Sequence, residues 1–129
     1  MYLKIIGIIV VMVLIFGQMV LFSAEPTGAE KVQKVGELYR VALEFFNKKD
    51  YNGFLKQVEM AHAVLPEDEG LSFELARGYA LTGQTEKVYN SLNRLVDMDL
   101  FYDIETDTAF DYLRKEKEFI QLMEKVAEK

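Results

Sequence analysis

The clearest pattern in the chain is a pair of amphipathic segments in residues 71–95, which predicts two helices joined by a short turn. Apolar and small residues recur at i, i+3 and i+4 spacings, so each helix has one stripe of side chains to bury. Gly83 stands between them, where a helix C-terminus favours a residue that tolerates a left-handed backbone. The short connection predicts antiparallel neighbours. The stripes consist of Leu71, Leu75, Ala76 and Tyr79, then Val88, Leu92, Leu95 and Val96.

The same periodicity predicts two helices before this hairpin, in residues 30–49 and 51–64. Asp50 is a suitable N-cap for the second of these helices, because its short carboxylate can accept a hydrogen bond from the first turn. Pro66 ends that helix, since proline cannot continue the helical hydrogen-bond ladder.

The pattern weakens after the hairpin, where residues 97–103 predict a loop with apolar anchors. A short helix is expected over residues 108–114, capped by Thr106 or Asp107, and a last helix over residues 117–126. No stretch shows sustained period-two alternation. The predicted fold class is therefore all-α.

Residues 5–22 form an apolar run broken only by two glycines and one glutamine. A helix of that length spans about 27 Å, close to the hydrocarbon thickness of a bilayer. The run has no polar face, which disfavours a buried core helix. Lys4 precedes it and Glu25 follows it, so the positive-inside rule places the remaining chain outside the cytoplasmic membrane.

Two interpretations of this N-terminal segment stay open. Its length favours an uncleaved membrane anchor, and Phe22 at the −3 position disfavours cleavage after Ala24 as a signal peptide. The expected localisation is the cell membrane with an external C-terminal domain, or the periplasm or medium if the segment is cleaved. The predicted organisation is an anchor or signal in residues 1–24, a linker and helix start in 25–34, and a helical domain in 35–129.

Composition narrows the function classes. Beyond residue 24 the chain carries 14 basic and 21 acidic residues, a formal charge of −7, which argues against a nucleic-acid partner. Cysteine is absent, so disulfides, thiol catalysis and thiolate metal sites are excluded. No phosphate-binding loop, nucleophile elbow or zinc motif occurs in the sequence. We expect no enzymatic activity and no cofactor.

Two features, the single histidine and the late acidic cluster, are candidates for chemistry, but the sequence favours structural roles for both. His62 is the single histidine, and nothing in the sequence brings a nucleophile or carboxylate to it, so a partly exposed structural histidine is expected. The late acidic residues fit no calcium-binding loop, which needs glycine at its sixth position and glutamate at its twelfth. Helix caps and solvated acids are expected instead, at Asp97, Asp99, Asp103, Glu105, Asp107 and Asp111.

Self-comparison reveals an internal repeat. A shift of 34 residues places apolar positions on apolar positions and places Lys49, in the first turn, on Gly83 in the second. The aligned pairs include Val41 with Leu75, Ala42 with Ala76, Phe45 with Tyr79, Phe54 with Val88, Val58 with Leu92, and Ala61 with Leu95.

A 34-residue period of two helices resembles the tetratricopeptide repeat, over about residues 35–100. Pro66 and the small or apolar residues at the core positions fit the family pattern, whereas several characteristic residues differ. Residues 103–126 look like a degenerate third unit or cap. This chain has Leu38 and Ser72 where the family usually has an aromatic residue, and Ala42 and Ala76 where it usually has glycine. It has Phe54 and Val88 where alanine is usual, and Leu100 where the second unit would have proline.

The resemblance implies an α-solenoid of about 2.5–3 stacked helical hairpins, with a concave face lined mainly by the first helix of each unit. Either this face is an open peptide groove, or the third unit or the N-terminal helix covers it. Members that clamp a C-terminal carboxylate use Lys and Asn where this chain has Tyr39 and Leu43, so no such clamp is expected. The implied partner-binding residues are Tyr39, Leu43, Phe46, Asn47, Phe73, Arg77, Ala80 and Leu81.

The function expected from this resemblance is a non-enzymatic interaction or scaffold module that binds a protein or peptide segment on the concave face. Residues 49–119 also look similar to small helical-repeat modules of exported bacterial proteins, some of which precede a gluconolactonase-like propeller. No propeller occurs in this sequence, so no lactonase activity is expected. The alternative is an accessory module that scaffolds a separate catalytic subunit, such as a propeller-type hydrolase, through its apolar edge.

Overall fold

The computed structural model describes residues 25–100 and 103–129. The predicted anchor or signal segment in residues 1–24 therefore lies outside the described residues, as do Phe101 and Tyr102. The chain divides into two units, Met1–Glu30 and Lys31–Lys129. The packing described below is that of the second unit.

Helices account for all the regular structure in the described residues, and no strand occurs among them, so the all-α prediction is confirmed. Within residues 25–100 and 103–129, none of the helices is long and apolar enough to cross a membrane. The elements are α1 (Gly28–Asn47), α2 (Tyr51–Val64), α3 (Glu69–Leu81), α4 (Thr85–Asp97), a 3₁₀ helix (Thr108–Leu113) and α5 (Lys117–Ala127).

Aspartates begin three of these elements as N-caps. The Asp50 carboxylate accepts a hydrogen bond from the Gly53 amide at 2.9 Å, which confirms the predicted cap of α2. Asp107 accepts from the Ala109 amide at 2.8 Å, which settles the choice between the two predicted caps of the 3₁₀ helix. Asp68 caps α3 in the same way.

The turns between helices repeat with the same 34-residue spacing as the sequence. Gly83 adopts the predicted left-handed conformation at φ 73°, and Lys49, one period earlier, lies at φ 58°. In both turns the following amide reaches back five residues, Asp50 N to Phe45 O and Gln84 N to Tyr79 O, each at 2.9 Å. The carbonyl groups at the ends of α1 and α3 are therefore satisfied by one repeated backbone motif.

The core forms three adjoining clusters that the helices build in chain order. The first joins Leu38, Ala61 and Leu71, from α1, α2 and α3. In the second, Phe54 and Val58 of α2 pack with Ala42 of α1 and Leu75 of α3. The third lies between α3, α4, the 3₁₀ helix and α5, and contains Ala76, Val88, Leu92, Leu95, Val96, Ile104, Phe110, Leu113, Phe119 and Leu122. Ala42, Ala76 and Phe110, which lie 34 residues apart in the sequence, are all buried.

Alanine is expected to have opposite effects on stability at Gly53, in the first turn of α2, and at Gly36, in α1. A Cβ atom at Gly53 would lie 2.7 Å from Phe45 Cγ and 2.8 Å from Asp50 Oδ2, whereas one at Gly36 would meet nothing within 4 Å. Gly53→Ala is expected to lower the free energy of unfolding by about 1–2 kcal/mol, because overpacking outweighs the gain in helix propensity. Gly36→Ala is expected to raise it by about 0.5–1 kcal/mol. Urea titrations measure both, and a stabilised Gly53→Ala variant would contradict the packing.

Candidate functional site

The structure brings predicted site residues of α1 and α3 together on one surface, here named the inner face (Tyr39, Leu43, Phe46, Asn47, Phe73, Arg77 and Leu81). The Arg77 guanidinium stacks over the Phe46 ring, with its Cζ 5.2 Å from the ring centroid. The Tyr39 hydroxyl donates to Glu74 Oε1 at 3.2 Å. Residues of α1 and α3 that lie more than thirty positions apart in the sequence are therefore in contact.

Arg77 lies at the centre of an ion-pair network within the chain. Its Nη1 is 2.8 Å from Glu74 Oε2, and its Nε is 2.8 Å from Asp107 Oδ2. The three side chains are only 23%, 16% and 14% exposed, in the order Arg77, Glu74, Asp107. The positive charge is already shared by two carboxylates, so Arg77 holds the inner face together and is not a free anchor for an acidic partner.

Tyr39 joins this network as a hydrogen-bond donor. Burial and the neighbouring Glu74 carboxylate raise the pKa of the Tyr39 phenol, so the hydroxyl keeps its proton at neutral pH. The network therefore links α1 through Tyr39, α3 through Glu74 and Arg77, and the 3₁₀ helix through its cap Asp107.

The 3₁₀ helix reaches the inner face at Phe73. The Phe73 and Phe110 rings pack edge to face, with centroids 6.1 Å apart and planes at 65°. Phe73 is half-buried, so this end of the face is partly covered by residues after α4. Coverage by residues after α4 therefore applies at Phe73, and the predicted alternative of coverage by residues 1–24 lies outside the described residues.

The accessible part of the inner face centres on Leu43 and Asn47. Leu43 is 42% exposed, and Asn47 is also exposed at the end of α1. Phe46 beside them is fixed by edge-to-face packing on Phe54, at 5.3 Å between centroids, and on Tyr51, at 5.9 Å. The apolar side chain of Leu43 and the carboxamide of Asn47 are thus exposed on the helix that carries the fixed ring of Phe46. Leu81, at the C-terminus of α3, is half-buried.

His62 has a partner that sequence reasoning did not identify. Its Nε2 lies 3.3 Å from Ser72 Oγ, and the Ser72 hydroxyl also donates to the Asp68 carbonyl oxygen at 3.0 Å. The single hydroxyl hydrogen of Ser72 is donated to that carbonyl and not to His62, so the geometry does not prepare Ser72 as a nucleophile with His62 as its base. Burial and the charge of Arg94 lower the pKa of His62, so the ring is neutral at pH 7.

Four of the six late acidic residues lie in separate ion pairs, one of them being Asp107 with Arg77. Asp97 pairs with Lys125, Asp99 with Lys129, and Asp111 with Arg114. The hydrogen bond from Lys125 lowers the pKa of Asp97. In the part of the chain that the structure describes, no three His, Asp or Glu side chains converge as a metal site would require.

Comparison of the chain with protein-family models, curated proteins and solved structures finds no match to any of the three.

Proposed function

We propose that this protein is a helical-repeat interaction module that binds a protein or peptide segment along its inner face. The observation that carries the proposal is the open, pre-organised surface at Leu43 and Asn47, next to the fixed ring of Phe46. Rigid aromatic and apolar groups bind with little loss of side-chain entropy, because their rotamers are already set by packing.

The repeated turns at Lys49 and Gly83 support the tetratricopeptide-like part of the proposal. Two units with the same turn and the same buried positions would stack as successive hairpins, and Asp107 and Phe110 would extend the array into a third, degenerate unit. The first helices of the units would then share one face, and the contacts from Phe46 to Arg77 and from Phe73 to Phe110 support this arrangement.

The proposal extends to location. An uncleaved apolar segment in residues 5–22 would tether the module to the cell membrane with the helical domain outside, and cleavage after Ala24 would release the domain to the periplasm or medium. Intact-mass measurement of the protein purified from its host distinguishes the two forms.

The test of inner-face binding compares two exposed apolar residues of nearly equal accessibility. Leu43 on α1 is 42% exposed and Met60 on α2 is 44% exposed. In a crosslinking pull-down from host cells with the full-length chain, Leu43→Glu is expected to reduce recovery of the partner at least tenfold, because a charge would be buried in the interface. Met60→Glu is the matched control and should recover the partner as the wild type does. Equal recovery by both variants, with unchanged circular dichroism, would reject the inner face.

The alternative function, an accessory module for a separate catalytic subunit, is favoured by one different observation. Ile120 and Met123 on α5 line a largely apolar groove of about 460 Å³ beside Arg114. A catalytic subunit docked on this edge would be lost with Ile120→Glu and kept with Leu43→Glu. Stoichiometric co-purification of a hydrolase showing that pattern would favour the alternative.

A further inference from the structure

The dipeptide Asn52-Gly53 lies in the first turn of α2 and carries a reactivity that the proposed function does not use. An asparagine followed by glycine is particularly prone to deamidation, because glycine has no Cβ to hinder attack by its own backbone nitrogen on the neighbouring carboxamide. Asn52 is exposed, so water reaches the carboxamide. Packing nevertheless keeps position 53 as glycine, since a Cβ atom there would lie 2.7 Å from Phe45 Cγ.

The Gly53 nitrogen, which would be the nucleophile, is held by a single side chain. Amides in the first turn of a helix have no main-chain acceptor, and Gly53 is among them because α2 begins at Tyr51. Its N–H donates instead to Asp50 Oδ1, at 2.9 Å. The negative carboxylate opposes loss of the amide proton, which the attack requires. Ring closure would also require residue 52 to leave its helical φ and ψ.

We infer that Asn52 is a deamidation site protected by the Asp50 cap, and that the reaction proceeds only from molecules in which the first turn of α2 has opened. In the open form the Gly53 nitrogen bonds to Asn52 Cγ, the bond from Cγ to the side-chain nitrogen breaks, and ammonia leaves with the former amide hydrogen. Water then opens the cyclic imide at either carbonyl, which gives aspartate or isoaspartate at position 52. The cap therefore determines the rate through the population of open first turns.

The two products have opposite effects on α2. Aspartate in the first turn interacts favourably with the positive end of the helix dipole. Isoaspartate adds a methylene group to the main chain, which disrupts the spacing between the Asp50 cap and the Gly53 amide. Tyr51 and Phe54 on this turn pack against the Phe46 ring, with centroids 5.9 and 5.3 Å from it, so the isoaspartate form loosens that ring of the inner face.

The experiment incubates the full-length chain at mildly alkaline pH and measures deamidation at position 52 by peptide mass mapping. Asp50→Ala removes the cap, and Asp50→Ser keeps a side-chain oxygen that can replace it. Asp68→Ala is the matched control, because it removes the equivalent cap of α3. Asn90 within α4 is the internal reference, since the amide that follows it has a main-chain acceptor. Circular dichroism and urea midpoints verify that the variants fold.

Deamidation at position 52 is expected to be about fivefold or more faster in Asp50→Ala than in the wild type, because loss of a cap favours opening of the first turn by that factor. Asp50→Ser and Asp68→Ala should react as slowly as the wild type, and Asn90 should be unaffected in all variants. Equal rates in Asp50→Ala and the wild type, or equal acceleration in Asp68→Ala, would overturn the inference.

A second comparison needs no variant. The wild type unfolded in urea is expected to deamidate at position 52 more than about tenfold faster than the native wild type, because opening of the turn is then no longer required. Equal rates in the two states would show that the fold gives no protection and would overturn the inference.

The effect on α2 is tested with the isoaspartate form isolated from aged protein by chromatography. It is expected to unfold at a lower urea concentration than Asn52→Asp, which reproduces the aspartate product and its charge. Equal midpoints would overturn the predicted disruption of the first turn.

Discussion

Phe110→Ala is expected to lower the free energy of unfolding by about 3–5 kcal/mol. Phe110 is fully buried in the third core cluster, and its ring packs on Phe73 of α3. Truncation removes apolar contacts and leaves a cavity that the short 3₁₀ helix cannot fill. Loss of this anchor should release α5 first, because Phe119 and Leu122 of α5 belong to the same cluster.

Tyr112→Ala is the control for this prediction, since Tyr112 lies in the same 3₁₀ helix and is 47% exposed. It is expected to cost less than about 1 kcal/mol. Urea unfolding followed by circular dichroism measures both variants, and amide hydrogen exchange reports whether α5 opens before the rest. Similar losses for the two variants would show that the 3₁₀ helix is not anchored as described.

Arg77→Ala is expected to lower the free energy of unfolding by about 2–3 kcal/mol. Its removal leaves Glu74 and Asp107 close together without their shared cation, and both carboxylates are largely buried. Breaking a fully buried pair costs about 3–5 kcal/mol, and the residual solvent access at this site reduces that value. Arg77 also covers the Phe46 ring, so the variant loses packing as well as charge.

Arg40→Ala provides the matched comparison, because Arg40 pairs with Glu44 along α1 and both side chains are mostly exposed. An exposed i, i+4 pair contributes about 0.5 kcal/mol or less. Denaturant midpoints in low and high salt separate the two cases, since screening weakens the exposed pair more. An Arg77→Ala variant as stable as Arg40→Ala would contradict the central position of the ion-pair network.

The sequence predicted the helices well because their boundaries depend on local chemistry. Residue type and spacing predict Asp50 as a cap and Gly83 as the left-handed turn residue, and the structure confirms both. For the 3₁₀ helix they predict Thr106 or Asp107 as the cap, and the structure shows Asp107. The start of α1 was missed. The helix was expected to begin at residue 30, but Thr27 and Glu30 form a capping box and α1 begins two residues earlier, at Gly28.

The inner face was harder to predict, because periodicity assigns a residue to a helix face but does not identify its distant partners. The resemblance implies Arg77 as one of the partner-binding residues of that face, but the pattern does not indicate that Asp107, thirty residues later, pairs with it. The i, i+3 spacing of Glu74 and Arg77 was a usable local signal.

The most direct test of inner-face binding is site-specific photocrosslinking of the full-length protein in its host. A photo-reactive side chain is placed at position 43 or, as the control, at position 60, and the products are mapped by mass spectrometry. Inner-face binding predicts that position 43 crosslinks to one contiguous segment of a partner protein and that position 60 does not. Identical products from both positions, or crosslinks from position 43 only within the chain, would contradict it.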